Sequence, residues 1–318
     1  MKRWMALMIL LTMTAMGLAG GVATGEAKAQ GGLQIVATNF PCYDFARAVA
    51  GDRAQVTMLL KPGSEVHSFE PAPSDVVAVM DADLFVYIGG ESDSWVEGIL
   101  DSMGEEAPET LRMMDCVEVL AEEDVAEMEG GQEAHDHDHG TETEYDEHIW
   151  TSPANAAEMV QAVVDRLCEV DPDGAATYCA NGEAYIARIR QVDEAFAEAV
   201  AAGSRRELIF GDRFPFLYFA RRYGLTCYAA FPGCAEETEP SAKTMLFLMD
   251  KVTRDGIPAV YTIELSTGNV AQAISEETGA EVLQLHSMQN VTAEEFSGGE
   301  TYVSLMERNL EALKEGLK

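Results

Sequence analysis

The chain has 318 residues, a formal net charge of −34 and a pI near 4.3, with 47% hydrophobic residues and a mean hydropathy of −0.07. This is the composition of folded globular protein, with room for about two domains of roughly 150 residues each, and not of a disordered or membrane-embedded chain. The acidic excess argues against nucleic acid and anionic lipid as partners, because both recruit Lys and Arg, and it sets up a field that gathers cations.

In chain order, Lys2 and Arg3 precede an apolar run from Trp4 to about Leu18, and Ala27-Lys28-Ala29 supplies a small-x-small cleavage pattern. Residues 1–29 therefore read as an export signal. Leu18-Ala19-Gly20 is followed by Gly21 where a lipid-anchored protein carries Cys, so the expectation is an exported, soluble protein of the periplasm or cell envelope. No other apolar run reaches the ~18–20 residues of a membrane helix. In an exported chain the six cysteines, Cys42, Cys116, Cys168, Cys179, Cys227 and Cys234, are free to pair; Cys168–Cys179 and Cys227–Cys234 are the local pairs. No CxxC spacing occurs, which disfavours a Cys-ligated zinc site.

Strands are expected at Leu33–Thr38, Gln55–Leu60 and Leu84–Ile88, alternating with helices near Tyr43–Ala50 and from Ser74 to Ala82, and a further helix at Asp93–Met103. Residues 122–147 form an acidic loop without apolar periodicity. Ser152-Pro153 then marks a helix start, and Asp171-Pro172 marks another. From there to Gly203 the spacing of Tyr178, Tyr185, Ile189, Val192, Phe196 and Val200 predicts one helix of about 30 residues, ~45 Å long at 1.5 Å per residue. Asn181-Gly182 is its expected weak point. After it the rhythm repeats: strands Glu207–Phe210, Thr226–Ala230, Ala259–Ile263 and Glu281–Leu285, with helices Phe216–Tyr223, Ser241–Asp255, Gly268–Thr278 and Thr301–Leu317 between and after them. The predicted organisation is a signal (1–29), an α/β lobe (30–170), a linking helix (171–203) and a second α/β lobe (204–318). Parallel sheets of this kind bind ligands at the carboxyl ends of their strands.

Four of the six histidines, His135, His137, His139 and His148, lie between Ala134 and Pro153; the others are His67 and His286. Neutral imidazole is the commonest protein ligand for zinc. His67 and His148 sit at the ends of well-marked elements, with Glu70, Asp146 and Glu147 nearby to orient a ring; the alternative is that each caps a turn. His286 follows the last strand as His67 follows the second, although a lone His there is more often structural. His135, His137 and His139 alternate with Asp136 and Asp138, a pattern for loose metal recruitment or for a solvated polar run. Asp212, Arg213 and Glu264 lie at strand ends in the second lobe, and Arg stays protonated and cannot ligate.

Several segments together resemble the extracytoplasmic zinc- and manganese-binding receptors of ABC metal importers. They are Gly63–Pro71 (G-x-x-x-H-x-F-E-P), Glu147–Pro153 (E-H-x-W-x-S-P), the His-rich acidic loop between them, Tyr218–Leu225 (YFARRYGL), Glu239-Pro240-Ser241 and Glu277–Ala280 (ETGA). The resemblance implies two α/β lobes joined by one long backbone helix, with a single metal ion between the lobes. It implies His67 and His148 as ligands, a third ligand position falling at Arg213 with Asp212 the nearest substitute, and a fourth falling at His286. Members with a DRFPF segment like Asp212–Phe216 are similar at this point. Three imidazoles favour Zn²⁺ over Mn²⁺. The implied function is zinc capture and delivery to a membrane permease and its ATPase, by a monomer without enzymatic activity. Two other readings remain at this point. A zinc hydrolase is suggested by His135–His139, but its acid and final His are misplaced and HExxH is absent. The other is a surface adhesin that uses metal for stability.

Overall fold

The computed structural model describes residues 32–121, 145–233 and 239–318. The export signal, the run holding His135, His137 and His139, and Cys234 lie outside the described residues.

Two four-stranded parallel sheets carry the fold. The first has the order β2-β1-β3-β4, with β1 at Leu33–Ala37, β2 at Ala54–Met58, β3 at Leu84–Tyr87 and β4 at Glu109–Arg112. The second has the order β6-β5-β7-β8, with β5 at Glu207–Phe214, β6 at Thr226–Pro232, β7 at Ala259–Thr262 and β8 at Glu281–Gln284. Central strands β3 and β7 are buried along their whole length, LFVY and AVYT, as strands covered on both faces must be.

Helices α1 (Phe40–Ala50), α2 (Pro73–Met80), α3 (Trp95–Met103) and α4 (Pro153–Val170) belong to the first lobe. Asn39 starts α1 by accepting from the Cys42 N–H, and Ser152 starts α4 by accepting from the Asn155 N–H, with Pro153 in the first turn. The second lobe holds α6 (Leu217–Tyr223), α7 (Ala242–Asp255), α8 (Asn269–Thr278), α9 (Ala293–Gly298) and α10 (Tyr302–Gly316).

Between them α5 runs without a break from Ala175 to Ala202, 28 residues or about 42 Å. It begins later than its sequence signal, because Pro172–Gly174 is a separate 3-10 turn. Asn181-Gly182 is a contact point and not a weakness: Asn181 Nδ2 donates to the Val49 carbonyl at 2.9 Å, and Gly182 lies against Val164 of α4. One end of α5 touches α1 through a Tyr185–Asp44 hydrogen bond, and the other packs Phe196 edge-on against Phe219 of α6 at 5.0 Å.

A single apolar cluster runs from Ile35 and Trp150 in one lobe to Leu208 and Met306 in the other. Hydrogen bonds also stitch the lobes. Trp150 Nε1 donates to the Ser287 carbonyl at 2.7 Å, the Tyr302 hydroxyl to the Trp150 carbonyl at 2.8 Å, and Asn290 Nδ2 to the carbonyls of Lys61 and Ser64, both at 2.8 Å.

Candidate metal centre

The strands of both sheets deliver their carboxyl ends to the same crevice. His67 lies on the loop that follows β2, Ser92 follows β3, and Glu147 and His148 immediately precede the 3-10 turn Ile149–Thr151 that leads into α4.

There the fold brings together His67, Glu147 and His148, each offering a ligand atom within 4.8 Å of the others. The two imidazole centroids are 6.3 Å apart. Glu147 and His148 are buried, and His67 is partly open. An imidazole pair with a carboxylate is a donor set that zinc accepts, with a fourth position left for water.

Neighbouring groups fix the rings. The Ser92 hydroxyl donates to Glu147 Oε1, and the Ser92 N–H donates to Glu147 Oε2 at 2.9 Å. With that proton committed, Ser92 Oγ accepts from His67 Nδ1 at 3.2 Å, which leaves the lone pair of His67 on Nε2. His148 Nδ1 stands 3.2 Å from Asp146 Oδ1, an arrangement that places its proton on Nδ1 and its lone pair on Nε2 as well. Asp146 also accepts from the His148 backbone N–H at 2.8 Å, and its own carbonyl accepts from the Tyr218 hydroxyl of the second lobe at 2.7 Å. Gln289, also of the second lobe, donates to Glu147 at 3.5 Å. Glycine is required opposite Glu147: a Cβ on Gly90 would sit 2.3 Å from the glutamate's Cβ and Oε2.

Burial, and then repulsion from His148, holds the His67 imidazole below its ordinary pKa, against the pull of Glu147 and Glu65. His67 therefore stays neutral, the ligand form, to lower pH than a free histidine.

The other two expected ligands are placed elsewhere. His286 is buried in the second lobe, where its Nδ1 accepts from the Met288 N–H at 2.9 Å and its Nε2 lies 3.5 Å from Glu295. Its backbone is clamped on both sides by Asn309 at 2.7 Å. The ring thereby orders the turn after β8, and the group formed by His67, Glu147 and His148 does not include it. Asp212 is likewise outside the group. Its Oδ1 accepts from the Arg213 N–H at 2.9 Å and its Oδ2 from the Ile263 N–H at 3.3 Å, so it pins the end of β5 to the segment after β7. Arg213, at the position where the resemblance puts a ligand, faces the first lobe, and its Nη1 is 3.3 Å from both oxygens of Glu65. Beside this pair an interlobe cleft of about 210 Å³ opens between Val66, Asp212, Glu264 and Asn290. Sequence reasoning named Glu147 only as a support for a histidine and missed Ser92; the one available signal was that Ser92 closely follows a buried strand.

Two parallel-sheet lobes flanking a His–His–carboxylate group have the architecture of a metal-receptor type of binding protein. The chain belongs to the family described as zinc-uptake complex component A, periplasmic (ZnuA), which matches residues 35–316. It is 34% identical to the zinc-binding lipoprotein AdcA of Streptococcus pneumoniae over 92% of this chain, and it spans only 57% of that relative's length. It is 30% identical to the high-affinity zinc uptake system protein ZnuA of Bacillus subtilis over 99% of this chain and 98% of the relative. Among solved structures it resembles the Zn(II)-bound ZnuA-like domain of Streptococcus pneumoniae AdcA, with a TM-score of 0.75 and 31% identity over 90% of this chain and 99% of that one.

Proposed function

We propose that this protein is exported, captures Zn²⁺ outside the cytoplasmic membrane and delivers it to the permease and ATPase of an ABC importer. The observation that carries the reading is the convergence of His67, Glu147 and His148, two of them 80 residues or more from the third in sequence, at the junction of two lobes. The names of the relatives support zinc as the cargo. His67 and His148 are the imidazole ligands, Glu147 orients His67 through Ser92 and stands close enough to ligate, and water fills the remaining position. His135, His137 and His139 serve as a recruiting run that hands zinc to this centre.

Hydrogen bonds from Tyr218 and Gln289 reach the ligand segment from the second lobe, so occupancy of the site biases the arrangement of the lobes, which is what a membrane partner reads. Metal analysis of untagged protein tests the reading. One equivalent of zinc is expected in the wild type and none in His67→Ala or His148→Ala, with the fold intact by circular dichroism. Unchanged zinc in both variants refutes it.

A further inference from the structure

Away from the metal centre, the first lobe ends on a helical hairpin whose corner holds two thiols. Cys168 lies in the last turn of α4 and Cys179 at the start of the second turn of α5, with the turn Pro172–Gly174 between the helices. The antiparallel course of the helices sets Gly182 of α5 against Val164 of α4 and, one turn nearer the corner, brings Cys168 Sγ within 4.0 Å of the Ala175 carbonyl oxygen, one turn before Cys179. Cys179 is exposed and Cys168 partly so, whereas Cys42 and Cys227 are buried. The corner is already held in place: Arg53 Nη2 and the Tyr178 hydroxyl both donate to Asp171 Oδ2, at 2.7 and 2.6 Å.

We propose that Cys168 and Cys179 form a disulfide in the exported protein, fastening the first lobe's last helix to the long helix that joins the lobes. The inference rests on export to an oxidising compartment and not on the metal site, so the two can fail separately. The oxidant is a protein or small-molecule disulfide. The exposed Cys179, as thiolate, attacks one oxidant sulfur, breaking the oxidant's S–S bond and forming a mixed disulfide. Cys168, once deprotonated, attacks the Cys179 sulfur and expels the second oxidant thiolate. Two protons are released from the pair, and two electrons leave the chain in the reduced oxidant.

Both cysteines fall within one tryptic peptide, residues 167–188, bounded by Arg166 and Arg188. The full chain is exported from a bacterial host, alkylated without prior reduction, digested and weighed. The expected peptide is unalkylated, lighter by two hydrogens than its reduced form, and takes up two alkyl groups after reduction. Reduction should also lower the Tm of the wild type by roughly 5 °C and leave that of Cys168→Ser/Cys179→Ser unchanged. Three outcomes overturn the proposal: both thiols alkylated directly in the exported protein and after incubation with oxidised glutathione, either cysteine linked to a different peptide, or a thiol pair protected until a chelator strips metal from it.

Discussion

Ser92 has one proton, and Glu147 receives it. What Ser92 then does for His67 is geometric: it accepts from Nδ1 and holds the ring with its Nε2 lone pair available. Ser92→Ala removes both contacts without opening a large cavity, and zinc affinity should fall on the order of 10-fold while the Tm of the apo protein stays close to that of the wild type. Titration against a chromogenic chelator measures it; Ser92→Thr should restore most of the loss. The lowered pKa of His67 has two consequences with signs that can be worked out. Protons compete with zinc for His67 only below that value, so the contribution of this ring to affinity should hold as pH falls to about 6.5 and decline at lower pH. For folding, the unfolded chain takes up a proton at about pH 6.5 that the native state resists, so apo stability is fully present above that pH and is lost as pH falls toward the depressed native value. Asp93, pushed up to about 6 by burial, works in the opposite direction, so the difference between wild type and His67→Gln isolates the imidazole. A pH profile of Tm that is the same in both would contradict the assignment.

Elements position these residues through features that differ in how visible they are in a sequence. Buried strands such as LFVY and AVYT, and caps such as Ser152-Pro153, were legible because apolar runs and cap chemistry are local properties. β4 was missed because ETLR is a short edge strand with polar residues, and α9 because six residues carry too little periodicity, although Thr292 and Glu295 form a capping box. β5 was cut short at Phe210. Its ladder with β6 shifts register between Phe210 and Arg213 and then resumes at Arg213 and Phe214, which a run ending in Gly-Asp-Arg conceals. Gly90 shows the same limit at one position: its need to be glycine comes from Glu147, 57 positions further along the chain. Gly90→Ala should push Glu147 aside, costing about 1–3 kcal/mol of stability by overpacking and weakening zinc on the order of 10-fold. Chemical denaturation and the same chelator competition provide both numbers. Wild-type values for both would remove Glu147 from the account.

The lobes of this molecule are not independent bodies tethered by a helix. One apolar cluster passes through both, and Trp150, Tyr218, Asn290 and Tyr302 hydrogen-bond across the junction. Zinc capture on this account requires local adjustment of the crevice, where His67 is partly open and the Arg213–Glu65 pair is exposed to solvent; such a pair is worth at most about 1 kcal/mol. The two-lobe architecture was legible in the repeated α/β rhythm, and the pairing of His67 with His148 in their placement at element ends. The contacts of His286 were not, because packing against Asn309 and Glu295 is encoded by no local pattern. A crystal structure of the protein grown with zinc, with anomalous diffraction recorded on both sides of the zinc edge, tests the central claim most directly. A single peak is predicted within about 2.0–2.1 Å of Nε2 of both His67 and His148. A peak elsewhere, or one that touches neither ring, contradicts it.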